Sequence, residues 1–207
     1  MAARKRTASA RRRLPAEEAR ARILEAAERK LSEVGPEGLR LTDLAAALGI
    51  SHPAILHHFG SREELIIAVI TRATARLNAR LTDAIESGAH GHAALLEMIA
   101  EYYGAEGNAR LIAWLVLSGR SPRARPRGGS ARPLQRLIES AHAQRSQAHP
   151  DRADYADTLF RSELTALALL GDAIFGDVVR AASGAAVGAD ASRDFRRRLA
   201  RLLADTL

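Results

Sequence analysis

Apolar residues recur every three or four positions along most of the chain, which is the spacing of α-helices with one buried face. The first such stretch runs from Ala16 to Val34, and its repeating positions are Ile23, Ala27, Leu31 and Val34. Gly35-Pro36 predicts the end of this helix. No stretch carries the alternation of apolar and polar residues that is typical of a β-strand, so the pattern predicts an all-α protein.

Two short helices and a longer one follow. Leu41, Leu44, Ala45 and Leu48 have helical spacing, and Gly49 suits the left-handed residue that ends a helix. Ser51 can cap the next helix, which tolerates Pro53 in its first turn and runs to about His58. Two short helices joined by such a turn predict a helix-turn-helix unit.

The fourth helix has its own start signal. Phe59-Gly60 ends the third helix, and Ser61-Arg62-Glu63-Glu64 matches a capping box. Its apolar positions continue to about Ser87-Gly88, a length that suits a strut between two parts of the protein.

The rest of the chain is also predicted to be helical, with segments at about 91–104, 107–118, 131–148, 152–182 and 191–206. Residues 119–133 combine proline, glycine and arginine without an acid, which predicts a loop. The helix at 152–182 has a wide apolar face and the last helix a narrower one. This pair is typical of a helical dimer interface, so we expect a homodimer through the last two helices.

Composition adds a possible partner. The 207 residues carry a net charge of +7, which makes nucleic acid the first partner to consider. The charge is uneven, because residues 1–13 contribute +6, residues 119–136 contribute another +6, and the remainder sums to −5. We therefore expect residues 1–14 to be a disordered basic arm that adds salt-sensitive DNA contacts.

Several function classes are not favoured. The chain has no cysteine, and its longest apolar run, Leu111–Leu117, is far shorter than the roughly 20 residues of a membrane span. No nucleophile elbow, phosphate-binding glycine loop or H-E-x-x-H pattern occurs, so we expect neither an enzyme nor a cofactor. His90-Gly91-His92 lacks the further ligands of a metal site. We expect a cytoplasmic protein that does not enter the membrane.

The helix-turn-helix unit identifies candidate DNA contacts. At the start of the third helix, after its cap Ser51, the residues expected to reach base edges are His52, Pro53 and Ala54. DNA phosphates on either side of this turn need hydrogen-bond donors, and the residues expected to supply them are Thr42, His57, His58 and Arg62. Histidine at position 58 can equally pack against the core.

From Ile23 to Val69 the sequence reads ILEAAERKLSEVGPEGLRLTDLAAALGISHPAILHHFGSREELIIAV. It resembles the TetR family of bacterial transcription regulators in its ILEAA opening, LAAALGIS turn, H-F pair and S-R-E-E-L helix start. The His52-Pro53 step is similar to the tetracycline-repressor subgroup, in which a proline of the recognition helix touches DNA. Two positions depart from the family pattern: Leu56 stands where tyrosine is usual, and Arg62 stands where lysine is usual.

The resemblance implies a DNA-binding domain at residues 15–60 and a helical ligand-binding and dimerisation domain at residues 61–207. It also implies a repressor that leaves double-stranded operator DNA when a small, largely apolar ligand binds. The aromatic and thioether residues that are candidates for the ligand site are Met98, Tyr102, Tyr103, Trp114, Phe160 and Phe175. Each of them could instead be ordinary core.

Two other functions remain open at this point. A DNA-binding structural or adaptor protein would share the fold but have a filled second domain. An enzyme would need a polar cleft with paired acid and base groups.

Overall fold

The structure is a computed structural model that describes residues 15–87, 92–104, 107–119, 133–148, 150–151 and 153–205. Within these ranges the chain forms α-helices and no β-strand. The helices are α1 (Ala16–Gly38), α2 (Leu41–Leu48), α3 (His52–Phe59), α4 (Arg62–Glu86), α5 (His92–Tyr103), α6 (Asn108–Leu117), α7 (Pro133–Ala148), α8 (Tyr155–Ala182) and α9 (Ala189–Asp205). The all-α prediction is confirmed. The predicted basic arm and nearly all of the arginine-rich loop lie outside the described residues.

The end of α1 differs from the prediction. Gly35 breaks the helix with a φ of +70°, but the chain resumes helical geometry and continues to Gly38. Pro36 is compatible with this short continuation because the first turn of a helix needs no backbone N–H from it. The predicted stop at Gly35-Pro36 is therefore a kink.

The helix-turn-helix unit forms as the sequence predicts. Gly49 ends α2 in the left-handed conformation, with a φ of +65°. The Ser51 hydroxyl caps α3 by accepting a hydrogen bond from the Ala54 backbone N–H at 3.3 Å. The Ser61 hydroxyl caps α4 in the same way, accepting from the Glu64 N–H at 3.1 Å. Local sequence signals thus account for where α2, α3 and α4 begin and end.

One hydrophobic core joins the first three helices to α4 and α6. Ile55 and Phe59 of α3 are buried in it beside Leu44 of α2 and residues of α1. The core also includes the start of α4 and two residues of α6, namely Leu65, Ile66, Val69, Ile70, Leu111 and Leu115. Packing around the helix-turn-helix unit therefore continues past residue 60, and α6 of the second half rests directly on the first.

The second half contains two further clusters. Ala73, Leu77 and Leu81 of α4 pack with Tyr102 of α5. Leu96, Leu169 and Leu199 join α5, α8 and α9. α4 thus contributes both to the core around the helix-turn-helix unit and to a core cluster of the second half. At about 1.5 Å per residue, its 25 residues span about 37 Å. Of the helices described, none has the length and apolar character needed to cross a membrane.

Candidate nucleic-acid interface and ligand cavity

The N-terminal end of α3 faces solvent. Ser51, His52 and Pro53 are exposed and Ala54 is half-buried, whereas Ile55 is fully buried in the core beneath. Because the buried positions fix the underside of α3, its first turn is free to approach another molecule. An exposed first turn on the second helix of a helix-turn-helix unit is the geometry by which such helices enter a DNA major groove.

The predicted flanking donors lie in different surroundings. Thr42 is exposed at the start of α2, where its hydroxyl donates to the Asp43 carboxylate at 3.3 Å. His57 is exposed and His58 is half-buried beside the Phe59 ring, with ring centroids 6.4 Å apart. His57 and Thr42 are therefore accessible to a phosphate, while His58 also has a packing role.

Arg62 has contacts within the protein. Its Nη1 donates to the Pro36 carbonyl at 3.3 Å, and its Nε donates to the Glu63 carboxylate at 3.3 Å. Its guanidinium also lies over the Trp114 ring, 5.6 Å from the centroid. The expected phosphate contact of Arg62 stays a prediction, but its side chain joins the start of α4 to α1 and α6.

Further polar links join α1 to α4 and α6. The indole N–H of Trp114 on α6 donates to the carboxylate of Glu37 on α1. Glu28 on α1 forms ion pairs with Arg72 and Arg76 of α4. Partial burial raises the pKa of Glu28, but hydrogen bonds from the two arginines outweigh it, and the net result is a pKa below the ordinary value. Glu28 is therefore a stable anion that fixes α1 against α4.

A cavity of about 320 Å³ lies between α4, α5, α7 and α8, with Ile112 of α6 also in its wall. Most of the wall is apolar side chain, and this volume falls at the lower end of the range for small-molecule sites. Tyr102 and Tyr103 both line the cavity, with ring centroids 5.2 Å apart. The second half therefore contains a space that a small molecule could occupy.

The structure separates the six predicted ligand residues. Tyr102 and Tyr103 line the cavity, and Met98 packs in the cluster beside it. Trp114 lies at the junction with α1 instead. Phe160 and Phe175 are exposed on the face of α8 that points away from the cavity, whose wall includes Thr165.

Apart from the two tyrosines, sequence reasoning missed the polar residues of the cavity wall: Thr74 and Asn78 on α4, Ser140 and Gln144 on α7, and Ser162 and Thr165 on α8. A signal for Asn78 was present. Leu77, Leu81 and Ile85 recur at steps of four, and the polar residues Thr74 and Asn78 lie on the same helix face. Nothing comparable marks Ser140 and Gln144, because α7 is polar over much of its surface.

An apolar stripe on α8 is uncovered in the single chain. Its large members recur at steps of three, four and eight and are 39% to 68% exposed: Phe160, Leu164, Leu167, Phe175 and Val178. Gly171 lies between Leu167 and Phe175, and a Cβ placed there would meet no atom within 4 Å. A large exposed apolar patch of this kind marks an interaction surface.

Residues 23–69 match the family model described as bacterial regulatory proteins, tetR family. Those residues contain most of α1, all of α2 and α3, and the start of α4. The match thus covers the helix-turn-helix unit and most of its core, whereas residues 70–207 lie outside it.

Two curated relatives are transcriptional repressors. The chain is 43% identical to the HTH-type transcriptional repressor AcnR of Corynebacterium efficiens over 58 residues, which cover 28% of this chain and 31% of that protein. It is 33% identical to the HTH-type transcriptional repressor Rv3405c of Mycobacterium tuberculosis over 98 residues, which cover 44% of this chain and 52% of that protein. The chain therefore aligns with about half or less of either relative.

Similarity of fold extends further than similarity of sequence. The TetR family transcriptional regulator PfmR of Thermus thermophilus superposes with a TM-score of 0.54 at 23% identity. The superposition covers 88% of this chain and 97% of that one. It shows that the second half also has the fold of that structure.

Proposed function

We propose that the chain is a transcriptional repressor whose DNA-binding domain is formed by residues 23–69, the part that matches the family model of bacterial regulatory proteins of the tetR family. In this proposal a homodimer binds a near-palindromic operator, and a small molecule in the cavity of the second half releases it. The observation that carries the proposal is the exposed first turn of α3 on a buried, capped helix-turn-helix core.

Sequence-specific contact is assigned to the first turn of α3. The His52 ring can donate or accept a hydrogen bond at a base edge, and Pro53 and Ala54 offer apolar contact to a thymine methyl group. Thr42 and His57, which are both exposed, are the proposed phosphate contacts, and the N-terminus of α4 offers further backbone donors. Leu56 cannot donate a hydrogen bond to a phosphate, so these residues carry more of the DNA contact.

A second copy of the chain is the proposed occupant of the α8 stripe. Helix pairs form dimers when apolar side chains interlock and small residues allow close approach, and the stripe offers both around Gly171. The two-fold axis of such a dimer would place two α3 helices on the same side of one DNA duplex.

Release follows from a shift between two conformations. A ligand that binds more tightly to the conformation in which the two α3 helices are wrongly spaced lowers the operator affinity. The size of this effect is set by the difference between the ligand's binding free energies for the two conformations. α4 is suited to connect the two events, since it lines the cavity through Leu77 and Leu81 and lies in the DNA-binding core through Leu65. A structural DNA-binding protein would need no such cavity.

The test uses a duplex enriched by the protein from a random-sequence pool, with binding read by fluorescence anisotropy. His52→Ala and Pro53→Ala are expected to weaken binding to this duplex by about 5- to 150-fold, as for loss of about 1–3 kcal/mol of base contact. Their affinity for random-sequence DNA should change little. Gln147→Ala, an exposed change on α7, is the control.

The opposite pattern would contradict the assigned surface. If His52→Ala and Pro53→Ala bound the enriched duplex as tightly as the Gln147→Ala control, the first turn of α3 would not read the operator.

A further inference from the structure

The described residues of the cavity wall include no charged side chain. Among the described residues, the wall combines aliphatic and tyrosine side chains with the polar groups of threonine, serine, asparagine and glutamine. A ligand that carried a charge into this space would lose much of its hydration without gaining an opposite charge from the described wall residues, which is unfavourable. The wall therefore favours an uncharged ligand.

Some of the polar groups in the wall already have partners in the protein. The hydroxyls of Thr74 and Tyr102 hydrogen bond to each other at 2.7 Å. Ser162 and Thr165 on α8 donate to backbone carbonyls one turn earlier in their own helix, at 2.8 and 2.7 Å. Ser162 and Thr165 therefore have no hydroxyl hydrogen left to donate to a ligand, although their oxygens can still accept a hydrogen bond.

Other polar groups in the wall have spare hydrogen-bonding capacity. Asn78 is half-buried on α4, Ser140 is half-buried on α7, and Gln144 is exposed one turn further along α7. Within the described part of the chain, their side chains hydrogen bond to no other residue. α4 and α7 pack against each other, so Asn78 and the two α7 residues lie on neighbouring helices of the cavity wall.

Tyr103 adds a neutral donor to the wall. Burial, and to a lesser degree the neighbouring Tyr102, raises the pKa of the Tyr103 phenol above its ordinary value. The phenol therefore keeps its proton at physiological pH and introduces no negative charge into the cavity.

We propose that the cavity takes an uncharged, mainly apolar molecule with a single oxygen-bearing head group, either a hydroxyl or a carbonyl. Asn78, Ser140 and Gln144 hold the head group between α4 and α7, and the apolar part lies against Leu81, Leu96 and Ile99. The role of this molecule as the signal that releases DNA rests on the proposed function, but its binding to the cavity does not.

Binding is tested on the full chain without DNA, with four eight-carbon compounds that differ in their head group. The uncharged fluorescent probe N-phenyl-1-naphthylamine is bound first, and octan-1-ol, octan-2-one, octanoate or octylamine is then titrated to displace it. We expect octan-1-ol and octan-2-one to displace the probe at concentrations at least tenfold lower than the two charged compounds. Octanoate or octylamine acting as well as octan-1-ol would overturn the proposal, as would the absence of displacement by both neutral compounds.

The head-group contacts are tested by a double variant, Asn78→Leu with Gln144→Leu, and by Gln147→Leu as its control on the same helix but outside the cavity wall. The double variant should still bind the probe, which also shows that it is folded. Its octan-1-ol displacement should weaken about fivefold or more, as for loss of about one hydrogen bond of ~1 kcal/mol. Gln147→Leu should behave as the unaltered protein.

Equal displacement from the double variant and the control would show that these amides do not hold the head group. Displacement is measured without DNA, and the anisotropy test of α3 is made without any small molecule. Failure of the cavity proposal is therefore distinguishable from failure of the proposed repressor function.

Discussion

Ile55 is the residue whose loss most directly tests how α3 is supported. It is fully buried in the core that α3 shares with α1, α2 and α4. Ile55→Ala removes three carbon groups, worth about 2.4 kcal/mol at roughly 0.8 kcal/mol each. The cavity left behind adds to this cost, so we expect the free energy of unfolding to fall by about 3–4 kcal/mol. For a chain of this size that loss lowers the Tm by about 6–16 °C.

The measurement is equilibrium urea unfolding followed by the fluorescence of Trp114. This is the single tryptophan of the chain and it lies at the junction of α6 with α1, where it contacts Glu37 and Arg62. Ile50→Ala is the matched control, because Ile50 lies in the turn before α3 and is 39% exposed. We expect its cost to be about 1.5 kcal/mol, since the same three carbon groups are removed but the residue is already 39% exposed.

An Ile55→Ala variant that lost less than about 1 kcal/mol, or no more than Ile50→Ala, would refute the reasoning. Its DNA binding gives a second readout. Below its unfolding transition the variant should still bind the enriched duplex, because Ile55 faces the core and the first turn of α3 is unchanged.

Three further changes have defined outcomes. Ser51→Ala removes the cap of α3 and should lower the free energy of unfolding by about 1 kcal/mol in the same urea assay, with Ser51→Asp retaining most of the stability. Glu28→Gln should lower the Tm at pH 7, because the depressed pKa of Glu28 stabilises the fold only while the carboxylate is ionised. That difference from the unaltered protein should shrink as pH falls from about 4.5 through the lower folded pKa, and a difference that persisted in acid would contradict it. Phe175→Glu should convert dimers to monomers in sedimentation experiments, whereas Leu117→Glu, exposed outside the α8 stripe, should not.

The helices around the proposed DNA-binding surface were predictable because their signals are local. Ser51 and Ser61 cap helices through N–H groups three residues away, and Gly49 ends α2 through its own backbone. The kink at Gly35 was not predictable in the same way. A glycine followed by proline is typical of a helix end. That the helix resumes at Pro36, which is buried, depends on packing that the local sequence does not indicate.

The site residues were harder to predict because they depend on contacts between distant segments. Periodicity marks α8 as apolar, but it does not say that Thr165 faces the cavity while Phe160 and Phe175 face outward. Arg62 has the charge of a phosphate contact, yet the Pro36 carbonyl that it binds lies 26 residues away in sequence. The sequence around Arg62 therefore does not indicate this contact.

The central claim is that two copies of α3 read one operator, and the spacing of the enriched DNA tests it most directly. We predict that selection from random duplexes yields a near-palindrome whose half-sites are one helical turn apart, about 34–36 Å, or a multiple of it. Inserting five base pairs between the half-sites should then abolish specific binding, because the two recognition helices would face opposite sides of the duplex. Selection that yielded no symmetric sequence, or equal affinity for the duplex with the insertion, would contradict the account.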